Sequence, residues 1–264
     1  MKPSLIALAI LGCLGGLVYW LPASLVVGAV ATSDVLPEKT TLGRVSGRIW
    51  EGEMTNTQVN GQTIDTVQWS WRPAGVRRAE LAWQVNATAS GARANAEISW
   101  RPNRVSVRDL GVTIPAPLIA EEWVPWPLLM EGTIVGRIER LRYSPAANQV
   151  DAVGVVRWDD AASGYPQPAQ LGWLQADITT DPGGKALQVG LESDQRFLNL
   201  DGGATVEVTG DYSMALKVSP GPSAEPRLIN ALRLLGLNPA NDQPLNLRST
   251  GVLAPGGLGF PTID

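Results

Sequence analysis

A side-chain alternation with a period of two, recurring from Arg44 toward the carboxyl end, constrains this chain more than any other feature. Val45, Gly47 and Ile49 fall on one face of an extended segment while Arg44, Ser46 and Arg48 fall on the other. Val67, Trp69 and Trp71 alternate with Gln68, Ser70 and Arg72, and Leu81, Trp83, Val85, Ala87 and Ala89 follow the same rule. Ala92, Ala94, Ala96, Ile98 and Trp100 oppose Arg93, Asn95, Glu97, Ser99 and Arg101, and the runs Val150 to Trp158 and Tyr212 to Val218 continue the pattern. Successive side chains of a strand point to opposite faces, so these runs describe half-buried antiparallel strands. Turn residues separate them at Asn60-Gly61, Pro73-Ala74-Gly75, Ser90-Gly91, Pro102-Asn103, Asp181-Pro182-Gly183-Gly184 and Asp201-Gly202-Gly203. Their spacing of roughly ten residues is that of sequential hairpins. The expected fold is all-β, an antiparallel meander forming either a curved sheet or a sandwich.

Two segments break the pattern. Pro115 to Pro127 is laced with proline and leaves room for at most a short helix between Pro117 and Trp123. Pro226 to Leu235 reads as a short C-terminal helix: Pro226 suits the first turn, Leu228, Ile229, Leu232 and Leu235 recur at helical spacing, and Gly236 suits the carboxyl cap. The glycine- and proline-rich end, Pro255 to Asp264, is expected to be loose. An internal echo joins Gly43-Arg44-Val45-Ser46-Gly47-Arg48-Ile49 to Gly132-Thr133-Ile134-Val135-Gly136-Arg137-Ile138, and a second joins Trp71-Arg72-Pro73 to Trp100-Arg101-Pro102. Such echoes arise either from the limited vocabulary of glycine-rich strands or from repeated supersecondary units, which here would be two similar halves at about 41–110 and 130–220.

Ahead of the strands, nothing from Pro3 to Ser33 carries a charge. A spanning helix needs about 20 apolar residues. The expected span is about 4–21, with Tyr19 and Trp20 at its interfacial end and Pro22 at its exit. Two other readings stand beside an uncleaved anchor. Ala29-Val30-Ala31 has the small residues of a signal-peptide cleavage site, although the apolar core before it is long for one. Ile10-Leu11-Gly12-Cys13 loosely resembles a lipidation signal, although lipid on Cys13 would leave an apolar stretch behind the modified residue. Lys2 and the amino terminus carry the positive charge on the short side, which places that side in the cytoplasm. Residues 1–33 are then the cytoplasmic terminus and inner-membrane anchor, and residues 34–264 form a β-rich body, periplasmic in a bacterium with two membranes.

Composition narrows the chemistry. A net charge of −4 from scattered single charges supplies no basic stripe for nucleic acid. The chain has no histidine, and its one cysteine, Cys13, lies in the anchor. Zinc sites and serine–histidine or cysteine–histidine catalysis therefore lack their residues in the exported body. No catalytic, cofactor-binding or metal-binding residue is expected. Carboxylates need weighing separately. Glu121/Glu122 and Asp159/Asp160 are adjacent pairs that diverge if extended, whereas Glu51 and Glu53 share a face unless Gly52 between them makes a turn. Gly47 and Gly52 are alternatively expected to permit close strand approach or a bulge beside Trp50, where the chain leaves the membrane and enters the sheet. Asp177 and Asp181 lie near one another in sequence. The plain reading of all of them is solvated surface charge. Ten tryptophans against two phenylalanines raise the prospect of a ligand face. The period-two spacing of Trp69, Trp71, Trp83 and Trp100 instead puts them on the apolar side of the sheet, packed.

With these residues laid out, the chain resembles the type II secretion system protein N family. The likeness rests on the short anchor followed by Leu21-Pro22-Ala23, on Gly43 to Gly52 (GRVSGRIWEG), on tryptophan at strand ends, and on Leu234-Leu235-Gly236-Leu237 before a last strand from Leu245 to Leu253. It implies a non-catalytic inner-membrane component of the apparatus that exports folded proteins from the periplasm across the outer membrane, with other secretion subunits as partners. A different class of function is an anchored periplasmic β-groove that binds or transfers lipid, with Ala87, Ala89, Ala92, Ala94 and Ala96 leaving room along one face. A groove needs an apolar lining open to solvent, whereas a sandwich buries the same face.

Overall fold

The alternating runs are strands, and each hydrogen-bonds antiparallel to its neighbours. The computed structural model describes residues 22–31, 40–59, 62–123, 128–237, 244–252 and 262–263. The expected span at about 4–21, Cys13 and the Asn60-Gly61 turn lie outside them. Among the described residues no helix is long and apolar enough to cross a membrane. The chain divides into two compact units between Trp100 and Arg101.

Unit 1 comprises α1 (Ala23–Ala31) and six strands: β1 (Thr40–Thr41), β2 (Arg44–Arg48), β3 (Glu51–Val59), β4 (Gln62–Trp71), β5 (Leu81–Ala89) and β6 (Ala92–Arg101). β3, β4, β5 and β6 pair in chain order, and β1 and β2 share the outer edge of β3. Registers Met54↔Val67, Trp69↔Val85, Trp71↔Trp83 and Trp83↔Ile98 bring the apolar residues of four strands onto one face. Glu53↔Gln68, Ser70↔Gln84 and Gln84↔Glu97 fill the other. At Ser90-Gly91 both φ angles are positive, 45° and 90°, between the paired Ala89 and Ala92. This is the two-residue connection that matches strand twist.

Gly52 is not a turn. The reversal falls on Ile49 and Trp50, with Arg48 opposite Glu51 and Gly47 opposite Gly52, so Gly52 is already inside β3. Its glycine character answers to crowding: a Cβ there would stand 2.5 Å from Trp69 Cζ2 and 2.7 Å from the Ser46 carbonyl. Gly47, at φ +88°, would set a Cβ 2.6 Å from the Glu51 oxygen. The two glycines let the strands converge just below the turn.

Unit 2 is a longer meander. Its strands are β7 (Arg104–Pro115), β8 (Leu129–Ser144), β9 (Gln149–Gly164), β10 (Ala169–Thr180), β11 (Ala186–Ser193), β12 (Leu198–Glu207), β13 (Asp211–Pro220), β14 (Leu245–Val252) and β15 (Thr262–Ile263). They pair in chain order. Within each unit the strands form one open antiparallel sheet, as the meander reading expects. Helix α2 (Ala116–Trp123) fills the proline-laced segment and packs on β8, with Ala116 and Ala120 buried one turn apart. Asp201-Gly202-Gly203, read as a turn, lies in the middle of β12 and pairs on both sides, Gly202 with Leu191 and with Leu216. A Cβ on Gly202, at φ +139°, would press on the backbone of Ala215 and Leu216, so the glycine serves strand approach instead of reversal.

Helix α3 (Pro226–Leu234) follows its expected bounds closely. Its end is a Schellman motif: the Gly236 amide donates to the Arg233 carbonyl (3.0 Å) and the Leu237 amide to that of Leu232 (2.9 Å). Leu228 and Leu232 then join Leu237, Ala169, Leu198, Val218 and Leu245 in a buried cluster on the sheet.

The echo between residues 43–49 and 132–138 has a backbone counterpart. A Cβ on Gly43 would meet the Asn56 carbonyl at 2.5 Å, and one on Gly132 the Asp160 carbonyl at 2.6 Å. Asn56 and Asp160 both have positive φ, 54° and 50°. Each segment therefore begins where a glycine lies against an irregularity of the next strand. The likeness stops at the second glycine, since Gly47 precedes a reversal while Gly136 lies within the sixteen-residue β8.

Candidate functional site

The GRIWEG segment organises the apolar face of unit 1. Trp50, in the turn, packs on Trp71 with ring centroids 5.1 Å apart, and the Trp71 amide donates to the Trp50 carbonyl at 2.6 Å. The indole N–H of Trp69 donates to the Arg48 carbonyl (3.1 Å) and that of Trp83 to the Ile49 carbonyl (3.2 Å). Two carbonyls at the tight turn thus take up the only polar atoms of both indoles. What these two rings present elsewhere is carbon.

Beside them lies a cavity of about 420 Å³. Met54, Val67, Trp69, Trp83, Val85 and Ile98 form its floor, Ala23 and Val27 of α1 one wall, and Leu42 and Ile49 complete it. Every lining side chain is apolar. The floor residues are half-buried, not enclosed, whereas Ala23 is 1% exposed beneath the helix. α1 is held at its start by a bridge between Pro22 and Arg48, and the Leu25 amide donates to the Pro22 carbonyl (3.2 Å). The alanines expected to open a groove lie on the same face but farther along. Ala87 pairs with Ala94 and Ala89 with Ala92, while Ala96, opposite Val85, is buried. The space is made by larger residues under a helix of small ones. Trp69 and Trp83 border that space, and Trp100, on the same face, is 50% exposed.

The opposite face of this sheet is polar, and Glu51 and Glu53 share a shallow depression there with Ser46, Gln68, Ser70 and Asn86. The other carboxylates weighed in the sequence, Glu121/Glu122, Asp159/Asp160, Asp177 and Asp181, lie in unit 2. Asp159 pairs with Arg157 (Oδ1 to Nε, 2.6 Å), whose guanidinium also lies 4.7 Å from the Trp173 ring centre. Asp177 accepts from Gln175 Nε2 (3.2 Å). Asp181 caps its turn, accepting the amides of Ala186 (2.7 Å), Lys185 (2.7 Å) and Gly183 (3.0 Å). The Ala186 bond is the main cause holding its carboxyl below the usual range, with the other turn amides assisting against a smaller desolvation. Glu121 and Glu122 fall in α2. Among the described residues no three of His, Cys, Asp and Glu converge as metal ligands.

Neither the cavity wall nor Met54 was singled out in the sequence. Their signal was an apolar stretch, Ala23 to Ala31, placed directly ahead of strands whose alternation left one face to be covered.

Comparison with known families matches residues 38–248 to the model for type II secretion system protein N. No match of similar strength was found among curated proteins or solved structures. The matched region takes in the GRIWEG hairpin and the strands from β1 to β14 up to Arg248, so the chain belongs to the type II secretion system protein N family and is a component of that protein-transport apparatus.

Proposed function

We propose that this chain is a single-pass inner-membrane subunit of the type II secretion system, with its amino terminus in the cytoplasm and its β-rich body in the periplasm. In that role it is a non-catalytic scaffold that contacts other subunits and supports export of folded proteins across the outer membrane. The observation that carries the reading is the family match over residues 38–248, preceded by a stretch from Pro3 to Ser33 without a charge. A segment of that length and composition partitions into hydrocarbon. α1 is the described part of that stretch.

Topology is tested with single cysteines. On a Cys13→Ser background, Gln167→Cys is expected to react with a membrane-impermeant maleimide once the outer membrane is permeabilised. Pro3→Cys, which keeps Lys2, is expected to react only after the inner membrane is broken. The reverse pattern, or a body found free in the periplasmic fraction, would overturn the topology.

A further inference from the structure

We infer that the unit 1 cavity holds one acyl chain of a bilayer phospholipid. This rests on the membrane-anchored reading above and extends it to a site that anchoring alone does not require.

The lining selects hydrocarbon. None of its side chains offers a hydrogen-bonding group, because the indole N–H groups of Trp69 and Trp83 are already bound to backbone carbonyls. An extended peptide laid there would bury its own N–H and C=O groups without partners, which is unfavourable. A partner helix would satisfy its own backbone, but α1 already lies over the floor as one wall of the space. A flexible alkyl chain has no polar backbone to satisfy and can follow the space that remains between α1 and the strands.

The source follows from α1. Ala23 and Val27 face the cavity, and Leu25, about 200° around the helix from Ala23, is 62% exposed. A short helix that is apolar on both sides belongs in or against hydrocarbon. It follows directly on the uncharged residues 3–21, so the wall of the cavity and the membrane segment are one continuous apolar stretch. A lipid tail entering beside α1 meets Met54, Val85 and Ile98 across a lining of carbon.

The test uses the full chain in vesicles of phosphatidylethanolamine and phosphatidylglycerol doped with a phosphatidylcholine carrying a diazirine near the end of one acyl chain. After irradiation, adducts are mapped by mass spectrometry. Expected are adducts on the peptides containing Met54, Val85 and Ile98 as well as on residues 4–31. Filling the cavity with Val85→Phe, or independently with Val67→Phe, is expected to lower the adducts on β3 to β6 roughly tenfold, the worth of about two buried methylenes, while those on residues 4–31 persist. Circular dichroism melts show whether each variant folds, and the wild-type map stands without them. Adducts confined to residues 4–31 would overturn the acyl-chain site and leave the anchor standing. No adducts anywhere would overturn the anchor and the site together.

Discussion

Each unit sets a helix against one face of its antiparallel strands, α1 in unit 1 and α3, besides the short α2, in unit 2, and α1 and α3 bring different side chains to the contact. α3 brings Leu228 and Leu232, with Leu237 folded back behind its cap, and these fill the space over Leu198, Val218 and Leu245. α1 brings Ala23 and Val27 and leaves a cavity over Met54, Trp69 and Val85. The floors are alike in kind, alternating strands with their apolar residues on one side. What closes a sheet face is therefore the side-chain volume delivered from above it, and the pattern of the strands only says which face needs closing. Unit 2 makes a core of its own. Unit 1 is held by backbone proximity at the Gly47–Gly52 hairpin and by the indoles bound to it, and its apolar floor still has room for an occupant.

Truncating a leucine of α3 strikes the comparison hardest. Leu232 is 5% exposed within the cluster, and Leu232→Ala should cost about 2–5 kcal/mol through lost burial and the cavity left behind. Hydrogen exchange is the measure, with the largest loss of protection expected in β12 to β14. An unchanged exchange pattern there would mean that α3 does not supply the core of its unit.

A smaller effect is expected where unit 1 depends on its backbone. Gly47→Val puts a β-branched residue at φ +88° against the Glu51 carbonyl, a strain of about 1–3 kcal/mol. The melting temperature of the body should fall by several degrees. An undisturbed melt would show that the hairpin does not hold the sheet.

The strands and α3 were legible because their signals are local. Alternation marks a strand, and Pro226 and Gly236 bracket a helix whatever surrounds them. One glycine reading failed for the converse reason, and another stood between two alternatives. Asp201-Gly202-Gly203 and Gly52 have the composition of turns; the first is not one, and at Gly52 close strand approach prevails over a turn, because each role is set by a neighbouring strand, Ala215 beside Gly202 and Trp69 beside Gly52. A glycine needed for close approach and one needed for reversal look the same until the register is known. The cavity was illegible for the same reason. Trp69, Trp83 and Val85 announced an apolar face, yet whether it would be filled turned on Ala23 and Val27, in a stretch whose uncharged character spoke only of membrane.

The mildest substitutions separate the two faces most cleanly. Val85 and Val218 are both strand valines on an apolar face, the first bordering the cavity and the second 5% exposed inside the leucine cluster. Enlarging each by one methylene should have opposite signs. Val218→Leu forces an extra carbon into filled space and should destabilise by about 1–3 kcal/mol. Val85→Leu has empty volume beside it and should be neutral or gain up to about 0.8 kcal/mol, the worth of one buried methylene. Urea unfolding midpoints of the two variants, set against the parent chain, decide the matter. Equal losses at both positions would mean that the unit 1 face is as tightly filled as the unit 2 core, and the contrast between the helices would then carry no consequence for what the protein holds.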